Sequence, residues 1–313
     1  MTATAIRKSA LAGLGIVSIL ALSACAQVPA SDQVSACEPT TNFQVERSGE
    51  GDGQVITEGA ITAFDLTVAF EDGTEIIPQT AVVDMGDGTA SPANLNYLSA
   101  FPLAAFGGMS VDLSSVGEAL RCAQAGQQVN ATMRVDQFFP EELSASMGDD
   151  LNSQNVIVTA NIDSVYHSAA TGRINPQQNG IPAVVSAPDG TPGVTMPQES
   201  APTEQRVGVT INGFGAPVTE GQKLTLHLSA FTWTDSTQIL TTWGNAGPAL
   251  QLLAGAGDGF YDISTELIGK SVGSQVVIVL PASTIAADTE SDFGSDLGSG
   301  DAVVFVIDIL GAE

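Results

Sequence analysis

His167 and His227 are the chain's two histidines, and Cys25, Cys37 and Cys122 are its three cysteines. A serine or cysteine nucleophile needs a base beside it and a third group to orient that base. Two histidines support no Ser-His-Asp set, and a catalytic cysteine is the weaker reading of Cys37 and Cys122, because it would claim one of the same two histidines. His227 alternates with leucines, so it faces away from them, and it lacks the companions a zinc site requires. The stretch DTESDFGSD, Asp288 to Asp296, holds four carboxylates in nine residues. Its glycine, Gly294, stands one residue late for a calcium loop and no closing glutamate follows, so it reads as a solvated acidic loop. LAGAGDGFYDIS has glycines without the lysine and hydroxyl residue of a phosphate loop. No metal and no cofactor are therefore expected. Trp233 and Trp243 read as core and rim packing, with exposed anchors for a protein partner as the second reading.

The elements around these residues begin with a leader. Arg7 and Lys8 precede an apolar run from Ala10 to Leu22, and small residues follow, the order of a secretory signal that is too short to span a bilayer comfortably. It ends in Leu-Ser-Ala-Cys, which resembles the bacterial lipobox. That resemblance implies cleavage before Cys25, lipidation of Cys25, and a protein held on the extracytoplasmic face of the cell membrane. An ordinary secretory cleavage at the same place is the alternative. Without residues 1–24 the chain has seven basic against 35 acidic side chains, a net charge of −28. Such a surface repels phosphate backbones and carries no basic stripe, which excludes nucleic acid as a partner. Of the remaining cysteines, Cys37 and Cys122 are more often a disulfide than two thiols outside the cytoplasm.

The 289 residues after the leader fit two domains better than one. The reading is a signal peptide over 1–24, a polar tether over 25–45, a first domain over 46–167, a connector over 168–200 and a second domain over 201–313. The connector is rich in Pro, Gly, Ser and Gln, although IPAVVS inside it has the makings of an edge strand. Both domains repeat one order of elements. AFDLTVAF alternates Phe64, Leu66, Val68 and Phe70; KLTLHLSAF alternates Leu224, Leu226, Leu228 and Ala230. A short helix follows each, starting near Asp112 or Ser114 and near Asp262, and a glycine ends each helix before a strand. The strands after the helices are QQVNATMRV and SQVVIVL, the second apolar on both faces, and the closing strands are NVIVTANIDSVY and AVVFVIDIL. The predicted fold class is α+β, with antiparallel strands wrapped on one short helix in each of two domains.

LIGKSVGSQVVIVLP, GDAVVFVIDILGA and GEGDGQVITEGAITAFDLTVAFEDGTEI resemble the framework motifs of FKBP-type peptidyl-prolyl cis-trans isomerases, over most of residues 46–167 and 201–313. With the lipobox and NGIPAVVSAPDGTPGVTMP, the whole is similar to actinobacterial lipoproteins with tandem FKBP-like domains. The resemblance implies a curved antiparallel sheet around a single short helix, and a proline-ring pocket. Carried over residue by residue, the pocket tyrosine of the long strand falls on Leu228, the Phe-Asp pair on Ile239 and Leu240, the floor tryptophan on Ile263, and the hood tyrosine on Ile285. The closing-strand aromatic persists as Phe305, and Phe260 stands at the entrance. In the first domain the same positions are Leu66, Ile76, Ile77, Val116 and Phe139.

Prolyl isomerisation needs no acid, base or nucleophile. The barrier is lost amide resonance, about 18–20 kcal/mol, and an apolar pocket with a donor for the twisted carbonyl lowers it. The function expected is isomerisation at X-Pro bonds of exported or envelope polypeptides, in the manner of a chaperone. A non-catalytic pseudo-isomerase that binds polypeptides or scaffolds the envelope is the alternative, because the pocket aromatics are replaced in both domains.

Overall fold

A computed structural model describes residues 37–57, 59–82, 90–103, 109–244, 249–256, 263–285 and 301–313. In the first half the elements are β1 (Gln44–Ser48), β2 (Asp52–Val55), β3 (Ile61–Phe70), β4 (Glu75–Ala81), β5 (Ala93–Asn94), β6 (Phe101–Leu103), β7 (Met109–Val111), α1 (Ser114–Leu120), β8 (Gln124–Ala125), β9 (Gln128–Arg134), α2 (Val135–Phe138), α3 (Glu141–Met147), α4 (Asp149–Asn152) and β10 (Asn155–Tyr166). The second half contains β11 (Gly172–Ile174), β12 (Ala183–Ser186), β13 (Pro192–Thr195), β14 (Arg206–Gly213), β15 (Lys223–Thr232), β16 (Gln238–Thr241), β17 (Leu250–Leu253), α5 (Ile263–Leu267), β18 (Gln275–Leu280) and β19 (Val303–Ala312).

These strands form two large antiparallel sheets with the same order. The first runs β1-β9-β10-β3-β4, with β5 on β3; the second runs β11-β14-β18-β19-β15-β16, with β17 on β15. Three two-stranded sheets, β2-β8, β6-β7 and β12-β13, complete the described set. The expectation of an α+β protein with two domains of one helix each is corrected by this arrangement. Strands dominate and are spread over five sheets, and the first half carries four short helices where one was expected. The helices stay short because their sequences lack a sustained apolar repeat: α1 holds Gly117 mid-run, and α5 is five residues long. Isolated helices of this length are unstable, so packing on the sheets holds them.

The two sheets differ in how many faces they bury. Along β10 from Asn155 to Ile162, half-buried and buried residues alternate, and β9 shows the same pattern with exposed ends, as expected where one face meets water. In β18 all six residues are buried, and so are the first nine of β19. The inner face of the second sheet packs α5. Its outer face, carrying Val277, Val279, Val304 and Val306, is covered by Ile181 with Val184, Val194, Met196 and Ala201. The segment over 168–200 is thus a strap laid across the sheet. β11 pairs with β14, while IPAVVS supplies β12, which pairs with β13 and not with the edge of the large sheet.

The halves also touch directly. Ile61 of β3, Ala249 and Leu310 of β19 form a buried apolar cluster against Tyr166 of β10. Ala249 donates its backbone N–H to the Pro92 carbonyl at 2.9 Å, and the Tyr166 hydroxyl donates to a Glu313 carboxylate oxygen. Gly311 makes this approach possible, because a Cβ there would lie 2.3 Å from the Tyr166 ring. Cys37 and Cys122, 85 positions apart, are joined in a disulfide that ties the chain before β1 to the turn after α1.

Candidate functional site

The inner face of the second sheet is built by alternation. Side chains on a strand point to opposite faces in turn, so β15 sends Leu224, Leu226, Leu228 and Ala230 inward and leaves His227 on the outer face. β19 sends Val303, Phe305, Ile307 and Ile309 to the same side, where Ala230 faces Phe305 and Leu228 faces Ile307 in the strand register. In α5, Ile263 and Leu267 are four residues apart and share one helix face, and both are buried in this cluster. Gly269, at φ 80°, gives the chain the left-handed turn that follows the helix. Ile285 joins the same cluster, with Ile239 and Leu240 of β16 partly buried against it.

Six of the seven residues assigned to the proline pocket therefore meet in one place. The seventh, Phe260, lies outside the described residues, as do Cys25 and the acidic stretch 288–296. Leu228, Ile263 and Phe305 are at most 1% exposed, and none of the six side chains can donate a hydrogen bond. Chemically, their side chains supply apolar contact alone. The first half is alike: Leu66, Ile77, Val116 and Phe139 are buried in one cluster with Ile76 packed against it, and Phe139 meets Phe138 edge-on at 4.7 Å.

The outer face of the second sheet holds what sequence reasoning missed. A buried polar row crosses adjacent strands, with Gln275 of β18 facing Asp308 of β19 and Asp308 facing His227 of β15. Gln275 Nε2 donates to Asp308 Oδ1 at 2.9 Å, the Ala170 backbone N–H donates to Asp308 Oδ2 at 2.7 Å, and Thr210 Oγ1 donates to Gln275 Oε1 at 2.8 Å. His227 Nδ1 lies 2.9 Å from Thr242 Oγ1, and the Trp243 ring stacks on the imidazole at 4.2 Å. Burial pushes the Asp308 carboxyl up to about 6 against the two hydrogen bonds that stabilise its charge, and burial alone lowers His227 to about 4. The available signal was a single acid inside the aliphatic run VVFVIDIL, which a strand tolerates when donors meet it. Trp233 and Trp243 are both buried, at 5% and 7% exposure, so exposed anchors are ruled out. Trp233 Nε1 donates to the Glu199 carbonyl, whereas Trp243 Nε1 has no hydrogen-bond partner among the described residues.

Between the strap and this face lies a cavity of about 610 Å³ that Asp308, Gln275 and Thr210 help to line. Among the described residues no cluster of three metal-ligating side chains occurs, and no helix is long and apolar enough to cross a membrane.

No family model matches the chain, and no curated protein matches it. Among solved structures it is similar to the three FKBP domains of wheat FKBP73, with 11% identity over 87% of this chain and 95% of that one, at a TM-score of 0.35. It is also similar to AtFKBP13, with 17% identity over 36% of this chain and 96% of that one, at 0.31. The N-terminal domain of FKBP42 from Arabidopsis thaliana is similar at 12% identity over 45% and 99%, with a TM-score of 0.31.

Proposed function

We propose that the chain is an extracytoplasmic, lipid-anchored protein of the FKBP-type peptidyl-prolyl cis-trans isomerase family, assisting exported polypeptides at X-Pro bonds. The observation that carries this reading is the apolar cluster in which α5 lies on the inner face of the second sheet, with Leu228, Ile239, Leu240, Ile263, Ile285 and Phe305 together. A twisted prolyl amide is less polar than a planar one, so apolar side chains around the ring favour the transition state without any proton transfer. With Leu228, Ile263 and Phe305 at most 1% exposed, the cluster has to part to admit the ring. The anchor rests on the lipobox-like LSAC ending at Cys25.

A second reading, a non-catalytic binder on the same framework, is favoured by one feature of the same residues. Their side chains are aliphatic apart from Phe305, and none offers a donor to the twisted carbonyl, a loss that in other enzymes costs several kcal/mol of transition-state stabilisation. A protease-coupled proline assay on the full chain separates the two. Turnover above the uncatalysed rate that falls in Phe305→Leu supports the isomerase, and a rate equal to the blank supports the binder. The anchor is tested by fractionation, where Cys25→Ala should release the protein from the membrane pellet.

A further inference from the structure

We propose that the cavity between the strap and the outer face of the second sheet binds a small organic cation, an ammonium group on an apolar body. About 610 Å³ is within the range of pockets that hold small ligands. The lining is asymmetric in charge, since Asp308 and Asp189 contribute carboxylates and, among the described residues, no lysine, arginine or histidine lines it. Asp308 is buried at the sheet end of the cavity, where its two oxygens each accept one protein hydrogen bond, from Ala170 and Gln275. Each oxygen keeps a further lone pair, and neither ion pair among the described residues involves Asp308. A buried carboxylate without a counter-ion is costly, and a ligand ammonium would supply that charge.

The rest of the cavity suits an apolar body. Ile174 and Val185 stand at its rim, 59% and 73% exposed, with more of the strap's aliphatic side chains between them and the polar end. This site is on the opposite face of the sheet from the inner cluster, and its ligand does not depend on isomerase turnover.

Titration calorimetry with the full chain tests it, using phenethylamine as probe against phenethyl alcohol and 3-phenylpropionate, which share its body and differ in charge. The amine is expected to bind at one site at least tenfold more tightly than the alcohol, with the carboxylate weaker still. Asp308→Asn should abolish the preference for the amine. Ile174→Arg, an exposed rim change that leaves the buried structure intact, should weaken the amine at least tenfold by placing a cation at the mouth. Equal binding of amine and alcohol, no binding of the amine, or amine binding unchanged in both variants would overturn the proposal; the last would be general attraction to an acidic surface.

Discussion

Removing either His227 or Asp308 should unmask a pH dependence of stability that the pair conceals in the intact protein. Taking the ordinary carboxyl as 3.8 and burial as raising Asp308 to about 6, the folded state holds a proton that the unfolded chain has released. That contribution to stability is complete below 3.8 and is lost as pH rises through about 6. His227 has the reverse sign. Its value falls from 6.5 to about 4, so its contribution is present above 6.5 and is lost as pH falls toward 4. At 1.36 kcal/mol per pKa unit, each group spans about 3 kcal/mol over its full range. The two windows overlap and oppose one another. The sequence pI is about 4.1, so the useful comparison stops at pH 5, where the chain still carries net charge. Between pH 7.5 and 5, linkage gives a gain of about 1 kcal/mol from Asp308 and a loss of about 2 kcal/mol from His227. Urea unfolding at the two pH values should therefore show His227→Gln gaining about 2 kcal/mol relative to wild type on acidification, and Asp308→Asn losing about 1 kcal/mol. Every other group titrates alike in the three chains and cancels in the difference. A lost hydrogen bond lowers both points equally, so the slope isolates the titration. Variants whose change from pH 7.5 to 5 matches wild type within error would refute the burial argument for both groups.

Gly311→Ala should lower stability by about 1–3 kcal/mol, measured as a urea midpoint, because the added Cβ meets the Tyr166 ring at 2.3 Å and the contact between the halves must open. Reducing the Cys37–Cys122 disulfide should cost about 4.6 kcal/mol in the same measurement, as expected for freeing a loop closed across 85 positions. Gly269→Ala places a side chain at φ 80° and should cost about 1–2 kcal/mol in thermal unfolding without altering the cavity.

The three central strands of each large sheet were readable because their signal is local, whereas the flanking strands, among them β1, β4, β14 and β16, were not read. Alternation marks β3, β9, β10 and β15, an unbroken aliphatic run marks β18, and an apolar run interrupted by Asp308 marks β19, each within two or three residues of its observed ends. α2, α3 and α4 were missed, since four to seven residues carry too little helical period to register. The strap was read as a connector because β11, β12 and β13 are three or four residues long and sit among Pro and Gly. What orders it is an apolar sheet face formed mainly by residues far along the chain. The sharing of one inner face by Leu228 and Phe305 follows from strand parity. The polar row does not, because Ala170, Gln275 and Asp308 are brought together by register alone.

The strap bears on the timing of folding. Val184 and Val194 leave the ribosome well before Val304 and Val306, the side chains they cover, and β19 is made after the other described strands of its sheet. Until then the second sheet lacks the strand between β18 and β15, and the strap has no surface on which to lie. The nascent protein therefore carries an open, protease-accessible stretch with apolar side chains for as long as β19 is missing. Synthesis of β19 is the event that closes it, so a product truncated before β19 would expose that stretch to degradation while a chain that contains β19 hides it.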